Sequence, residues 1–149
     1  MGGGLGRTAF YCYKFGITNY TIVDLVVPQI CQLNYLSRVI SEDNVLNEKE
    51  ITNLQNLENK IKIISSNYLF NNKTKYDLVF NSDSLTEIDY LTQNKYIDFI
   101  KKNANYFYSI NHESNKEKVT NLFSKVNIRE YDKNLYWLRK GYLEEHFKF

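Results

Sequence analysis

Three alternating glycines, Gly2, Gly4 and Gly6, open the chain in the stretch MGGGLGRTAF. Glycine lets the backbone take positive φ and lets a ligand approach the main chain closely. A helix starting near Arg7 would add unpaired N–H groups and the positive end of its dipole. Asp24 follows Gly6 by eighteen residues, at the end of the β-branched run YTIVDL. A carboxylate there can accept hydrogen bonds from both hydroxyls of a ribose. Glycine turn and carboxylate together therefore point to a nucleoside site. The alternative is a flexible N-terminus, which any short glycine run allows. The segment Gly4-Leu5-Gly6-Arg7-Thr8-Ala9 also fits a G-x-G-x-x-A dinucleotide fingerprint, which keeps an NAD-dependent oxidoreductase open.

The elements that must position these groups alternate along the chain. The pattern predicts a helix over residues 7–15 stopped by Gly16, and a strand over 20–25 covered on both faces. A second helix opens at Pro28, with Ile30, Leu33, Leu36 and Ile40 as its apolar stripe. Residues 41–59 are polar, with room for one short helix. Strands are predicted over 60–64, 76–80 and 106–110, with helices over 90–103 and near 117–125. Two extended segments around Gly141 are expected to pair antiparallel. This order predicts an α/β fold with a mostly parallel, Rossmann-like sheet and a C-terminal antiparallel strand, in a single domain of 149 residues. Right-handed crossovers bring the C-terminal ends of parallel strands to one edge. Asp24, Asn81, Ser82, Asp83, Asn111, His112 and Glu113 are expected at such ends.

Composition removes several function classes. Nineteen basic residues against seventeen acidic ones leave a net charge of +2, no field for nucleic acid or an anionic membrane. No apolar run reaches membrane-spanning length and no signal peptide heads the chain, so a cytoplasmic address is expected. Cys12 and Cys31 have no metal or redox spacing and read as reduced, buried thiols. Asp83, His112 and Glu113 could converge only through the fold, and no metal site is expected.

The stretches GGGLGRTAF, YTIVDLVVPQICQLNYL, YDLVFNSDSLTEI, YFYSINHE and WLRKGY together resemble a class I S-adenosylmethionine-dependent methyltransferase. More narrowly, they resemble the sugar O-methyltransferases of bacterial surface-polysaccharide clusters. The resemblance implies S-adenosyl-L-methionine seated against Gly2, Gly4 and Gly6, its ribose on Asp24 with Leu25 alongside. It implies Ser66 and Asn67 near the adenine, and Asn81 and Asp83 near the methionine moiety. The implied acceptor is a sugar hydroxyl of a polysaccharide or its precursor. Members of the family have a strand ending in an acidic residue before the glycine turn, and none precedes it here. The expectation is thus an incomplete domain, its first strand missing through a truncated or frame-shifted reading frame. Such a sheet would be completed by a homo-oligomer or a strand donor, or survive as an inactive interaction module.

A sugar hydroxyl is a poor nucleophile until its proton is removed, so O-methylation needs a positioned base. His112, just past a parallel strand, is the first candidate, because imidazole takes up protons near neutral pH. Asp83 is the second candidate and Glu87 the third. The competing reading is that His112 only bonds a neighbouring loop. Trp137, Arg139 and Tyr142 in the tail suit either sugar binding or sheet-edge packing.

Overall fold

The computed structural model describes residues 1–54, 56–115, 118–123 and 127–149. They gather into two compact units, Gly2–Asn72 and Lys73–Phe149, with Met1 grouped in the second.

In the first unit the elements are α1 (Arg7–Lys14), β1 (Tyr20–Val23), α2 (Val26–Val39), β2 (Val45–Asn47), α3 (Glu48–Asn53), β3 (Ile61–Ile64) and α4 (Ser66–Asn71). The strands form one parallel sheet in the order β1-β3-β2. Side chains alternate across a strand, so Tyr20, Ile22, Val45, Ile61 and Ile63 share one face. Ala9 and Leu36, from α1 and α2, close over that face as its core. Val23, Leu46 and Ile64 point the other way and are buried too. A sheet covered on both faces explains the near-continuous apolar runs.

The polar stretch 41–59 holds more order than its composition suggests. Asn47 caps α3 by accepting from the Lys49 and Glu50 N–H groups, while Glu50 returns to the Asn47 N–H at 2.8 Å. This reciprocal box fixes the short strand-to-helix step from β2 to α3. Neither β2 nor α4 was expected, because three-residue strands and one-turn helices carry too little periodicity to be read. Two further expectations are corrected. Ile30 is exposed and Gln32 is fully buried in its place, and neither expected buried thiol is buried: Cys31 is exposed and Cys12 half-buried.

In the second unit the elements are β4 (Tyr76–Ser82), α5 (Tyr90–Asn103), β5 (Ala104–His112), α6 (Val119–Leu122), β6 (Glu130–Leu135) and β7 (Tyr142–Lys148). The sheet order is β4-β5-β7-β6; β4 and β5 run parallel, and β7 is antiparallel to both neighbours. The expected C-terminal antiparallel pair around Gly141 is β6 and β7. Asp89 caps α5 by accepting the Thr92 N–H, and these bonds hold its carboxyl below the usual range. From α5, Tyr96, Ile97, Phe99 and Ile100 are buried. Phe107, Phe123 and Phe147 form an aromatic cluster with ring centroids 5.0–5.7 Å apart. The helix expected near 117–125 is seen as the single turn α6; Glu117 and Lys125 lie outside the described residues. The described strands thus form two ladders rather than one sheet, with β1 and β4 each at an edge. Among the described residues, no helix is long and apolar enough to cross a membrane.

Candidate functional site

The glycine turn belongs to the first unit. Its backbone folds back through Gly6 N–H to the Gly3 carbonyl at 2.9 Å, and Phe10 N–H to Gly6 O at 3.0 Å starts α1. Gly6 sits at φ 86°, in the left-handed region, and a Cβ there would lie 3.1 Å from Leu36 Cδ1. Gly6 has no side chain to cap α1, and no acidic residue stands in its first turn. The first N–H groups of α1 therefore keep their positive end for another acceptor. At Gly3, which was not singled out from the sequence, the constraint is space. A Cβ would lie 2.5 Å from Ile22 Cγ2 and 3.2 Å from Gln32 Nε2.

Asp24 and the turn are joined directly. Asp24 Oδ2 accepts from Gly3 N–H at 2.8 Å and from Gln32 Nε2 at 2.8 Å. Oδ1 accepts from Leu25 N–H at 2.9 Å. An ionised carboxylate has about four acceptor sites. Oδ2 is thus filled, while Oδ1 keeps capacity for a hydroxyl. Gln32 also donates to Gly4 O at 2.8 Å, and Gln29 Nε2 donates to the Asp24 carbonyl at 2.7 Å. Gln32 is 0% exposed, and its Oε1 is the buried side-chain polar atom without a partner among the described residues. Such an orphan costs about 1–3 kcal/mol. Nothing in the hydrophobic pattern marks Gln32. A faint signal lies in its place two turns after Asp24, on the face shared with Leu36.

The Asp24 N–H bonds Ile64 O at 3.1 Å, so the ends of β1 and β3 lie side by side. Ser66 and Asn67, the first residues of α4, follow that end, after the cap residue Ser65 accepts the Tyr68 N–H. Leu25 is 76% exposed and is followed by exposed Val26, Val27 and Ile30. Gly2, Gly4, Gly6, Asp24, Leu25, Ser66 and Asn67 therefore all belong to one unit.

The remaining candidates belong to the second unit: Asn81 near the end of β4, Asp83 just past it, and His112 as the last residue of β5. Asn81 is 0% exposed and its amide is turned inward. Its Oδ1 accepts from Asn111 Nδ2 at 3.2 Å, and its Nδ2 donates to Ser84 Oγ. Asn111 also donates to Ser109 Oγ at 2.6 Å and accepts from Thr86 Oγ1 at 3.2 Å. Asp83 stands at φ 51°, a left-handed value unusual outside glycine. Its carboxylate pairs with Arg139 Nη1 at 2.7 Å, a bond that raises the guanidinium pKa still further. Arg139 also lies over the Tyr142 ring, 3.7 Å from its centroid.

The His112 ring stands edge-on to Tyr142 at 5.0 Å, and Gly141 makes room for it. A Cβ on Gly141 would lie 2.9 Å from His112 Nε2. Nδ1 is 3.1 Å from Ser114 N and 2.7 Å from Ser114 Oγ. The N–H contact favours a bare Nδ1, whereas donation from Nδ1 to Oγ leaves Nε2 with a free lone pair. Ser114 can thus select the tautomer. Trp137 is 84% exposed, so it is not sheet-edge packing. Asp83, His112 and Glu113 form no metal-holding group, and among the described residues no other three His, Cys, Asp or Glu side chains do.

No family model matches the sequence, and no curated protein is similar to it at a significant level. Solved structures do share its fold. The chain superimposes on PigF, solved with S-adenosylhomocysteine, with a TM-score of 0.62 at 9% identity, over 97% of this chain and 47% of PigF. It thus spans about half of that protein. A Thermoplasma acidophilum protein matches with a TM-score of 0.44 at 11% identity, over 94% of this chain and 85% of that one. A Pyrococcus horikoshii protein assigned as an RNA methyltransferase matches with a TM-score of 0.41 at 12% identity, over 99% and 83%. At 9% identity the likeness to PigF is one of fold alone, a Rossmann-like α/β fold.

Proposed function

We propose that this chain binds S-adenosylmethionine and belongs to an O-methyltransferase acting on a sugar hydroxyl of a surface polysaccharide or its precursor. The observation that carries this reading is the Asp24 carboxylate. It is pinned to the glycine turn through Gly3 N–H while Oδ1 remains open to one hydroxyl. A nucleoside fits that arrangement: Gly2, Gly3, Gly4 and Gly6 leave Leu5 as the one side chain among residues 2–6, and a Cβ at Gly4 would meet no atom within 4 Å. The fold shared with PigF, a protein solved with S-adenosylhomocysteine, supports a sulfonium nucleoside over a nicotinamide one.

Asp24 Oδ1 would hold one ribose hydroxyl, and the open N–H groups of α1 would face an anionic or carbonyl group. Leu25, Ser66 and Asn67 would border the base, with the exposed Leu25 side chain as an apolar surface for it. The sulfonium, when bound, supplies a methyl group for in-line displacement by an acceptor oxygen. His112 would take the acceptor's proton on Nε2 in the tautomer that gives up the Ser114 N–H bond and donates from Nδ1 to Ser114 Oγ. Asp83 is the weaker base, since Arg139 already occupies its carboxylate. Buried Asn81 would act through the backbone at the end of β4 rather than through its amide.

A second reading, a binding or interaction module without turnover, is favoured by the edge positions of β1 and β4, which leave ladder groups for another strand. Calorimetric titration separates these readings. Binding of S-adenosylhomocysteine without binding of NAD is expected. Binding of NAD alone would replace the proposal with an oxidoreductase, and binding of neither would leave the interaction module. Methyl transfer to candidate glycans from labelled S-adenosylmethionine then tests turnover.

A further inference from the structure

We infer that Gln32 is a positioning residue that locks the glycine turn onto the Asp24 carboxylate and so sets selectivity for a ribose over a deoxyribose nucleoside. The selectivity rests on the function proposed above, whereas the lock rests on geometry alone.

Gln32 reaches from α2 to two points far apart in sequence, Gly4 and Asp24. Its Nε2 has two hydrogens, and both are used: one on Gly4 O and one on Asp24 Oδ2, each at 2.8 Å. The amide oxygen has no partner although the residue is fully buried. A side chain serving only the core would be leucine or methionine, which bury no polar atom. The amide is a local loss that leaves the turn fixed, and such local losses concentrate at functional sites.

The consequence falls on the carboxylate. Gly3 and Gln32 together fill Oδ2, and Leu25 N–H fixes the other end, so the carboxylate plane cannot rotate. Its free acceptor capacity is confined to Oδ1. All three donors are neutral, so the negative charge is oriented and not cancelled. One hydroxyl presented to that oxygen completes its acceptor capacity, and an analogue lacking that hydroxyl forfeits a charge-assisted bond.

The test replaces Gln32 with methionine, close in volume and without donors. In the ligand-free protein, exchange of the Gly3 amide is expected to quicken by about 10-fold, the loss of one bond to a charged group. Ile22 and Ile63 amides should keep their protection, and the thermal midpoint should hold or rise. In parallel, the affinity ratio for S-adenosylhomocysteine over its 2′-deoxy analogue should fall by about 10-fold. An unchanged Gly3 amide would overturn the lock. So would loosening spread equally over Ile22 and Ile63, which marks a merely structural residue. An unchanged ratio in a protein that binds would overturn the selectivity. Failure of the natural chain to bind S-adenosylhomocysteine counts against the proposed function, and amide exchange still decides the lock. Should Gln32→Met not fold, Gln32→Leu is read in the same way; failure of both overturns the inference, because a positioning amide is dispensable to the core.

Discussion

Asp24 and Asp83 each stand just beyond the end of a parallel strand, yet they are held by opposite means. Asp24 is oriented by three neutral N–H donors: Gly3 from the glycine turn, its own neighbour Leu25, and Gln32 from α2. Asp83 is held by a cation, Arg139, at a partly exposed ion pair. Neutral donors fix a carboxylate's direction and leave its charge for a ligand. A guanidinium fixes it by cancelling that charge. The first arrangement suits a receptor for hydroxyls, whereas the second suits a tether, here between the end of β4 and the β6–β7 turn.

The largest effect that sharpens this contrast is expected under alkali. Burial of Tyr20, with the nearby Cys12 thiol as a smaller cause, pushes its phenol up to about 12. A group whose pKa is raised by folding stabilises the folded state below its unfolded value and loses that stability as pH climbs through the folded one. Gly2–Asn72 should therefore lose about 2–3 kcal/mol between about pH 10 and 12. Chemical denaturation at stepped pH, beside Tyr20→Phe, measures it. The variant should show a shallower loss.

Next in size is Asp24→Asn, which keeps the shape but removes the charge. Affinity for S-adenosylhomocysteine should drop by about 10- to 100-fold, the loss expected for a charge-assisted bond. Asp83→Asn should change it far less. Equal losses would break the contrast drawn between the two carboxylates. Gly6→Ala places a Cβ at a left-handed position against Leu36, and should cost about 1–2 kcal/mol in thermal unfolding. The smallest effect is Arg139→Gln. An exposed tether adds little to stability, so the thermal midpoint should stay unchanged at low and high salt. A salt-dependent fall would show that the pair carries more than a tether does.

Much of the fold was legible because long elements repeat their pattern. Helix α5 was read at its observed bounds from Leu91, Tyr96, Ile97, Phe99 and Ile100, and β1 from a short β-branched run. The short elements β2 and α4 were not legible. The β2–α3 step depends on the Asn47–Glu50 cap, which is plain in coordinates and inconspicuous in a polar stretch. Gln32 was hidden for another reason. Its amide is buried because two distant polar groups meet there, a fact that periodicity along one helix does not carry. Ile30 was misplaced by the same periodicity, which counts apolar residues without knowing which face the sheet takes.

By itself the sequence determined the alternation of strands and helices, the antiparallel close at Gly141, and the pairing of a glycine turn with a carboxylate at the next strand end. These follow from local backbone preference and hydrophobic period, which act over a few residues. The tertiary structure alone decided that Gly3 rather than its neighbours meets Asp24, that Gln32 braces both, and that Arg139 occupies Asp83. Each is a directional bond between groups 8 to 56 residues apart in sequence. Hydrogen bonds need donor and acceptor within a few tenths of an ångström, and only the packed chain brings them there.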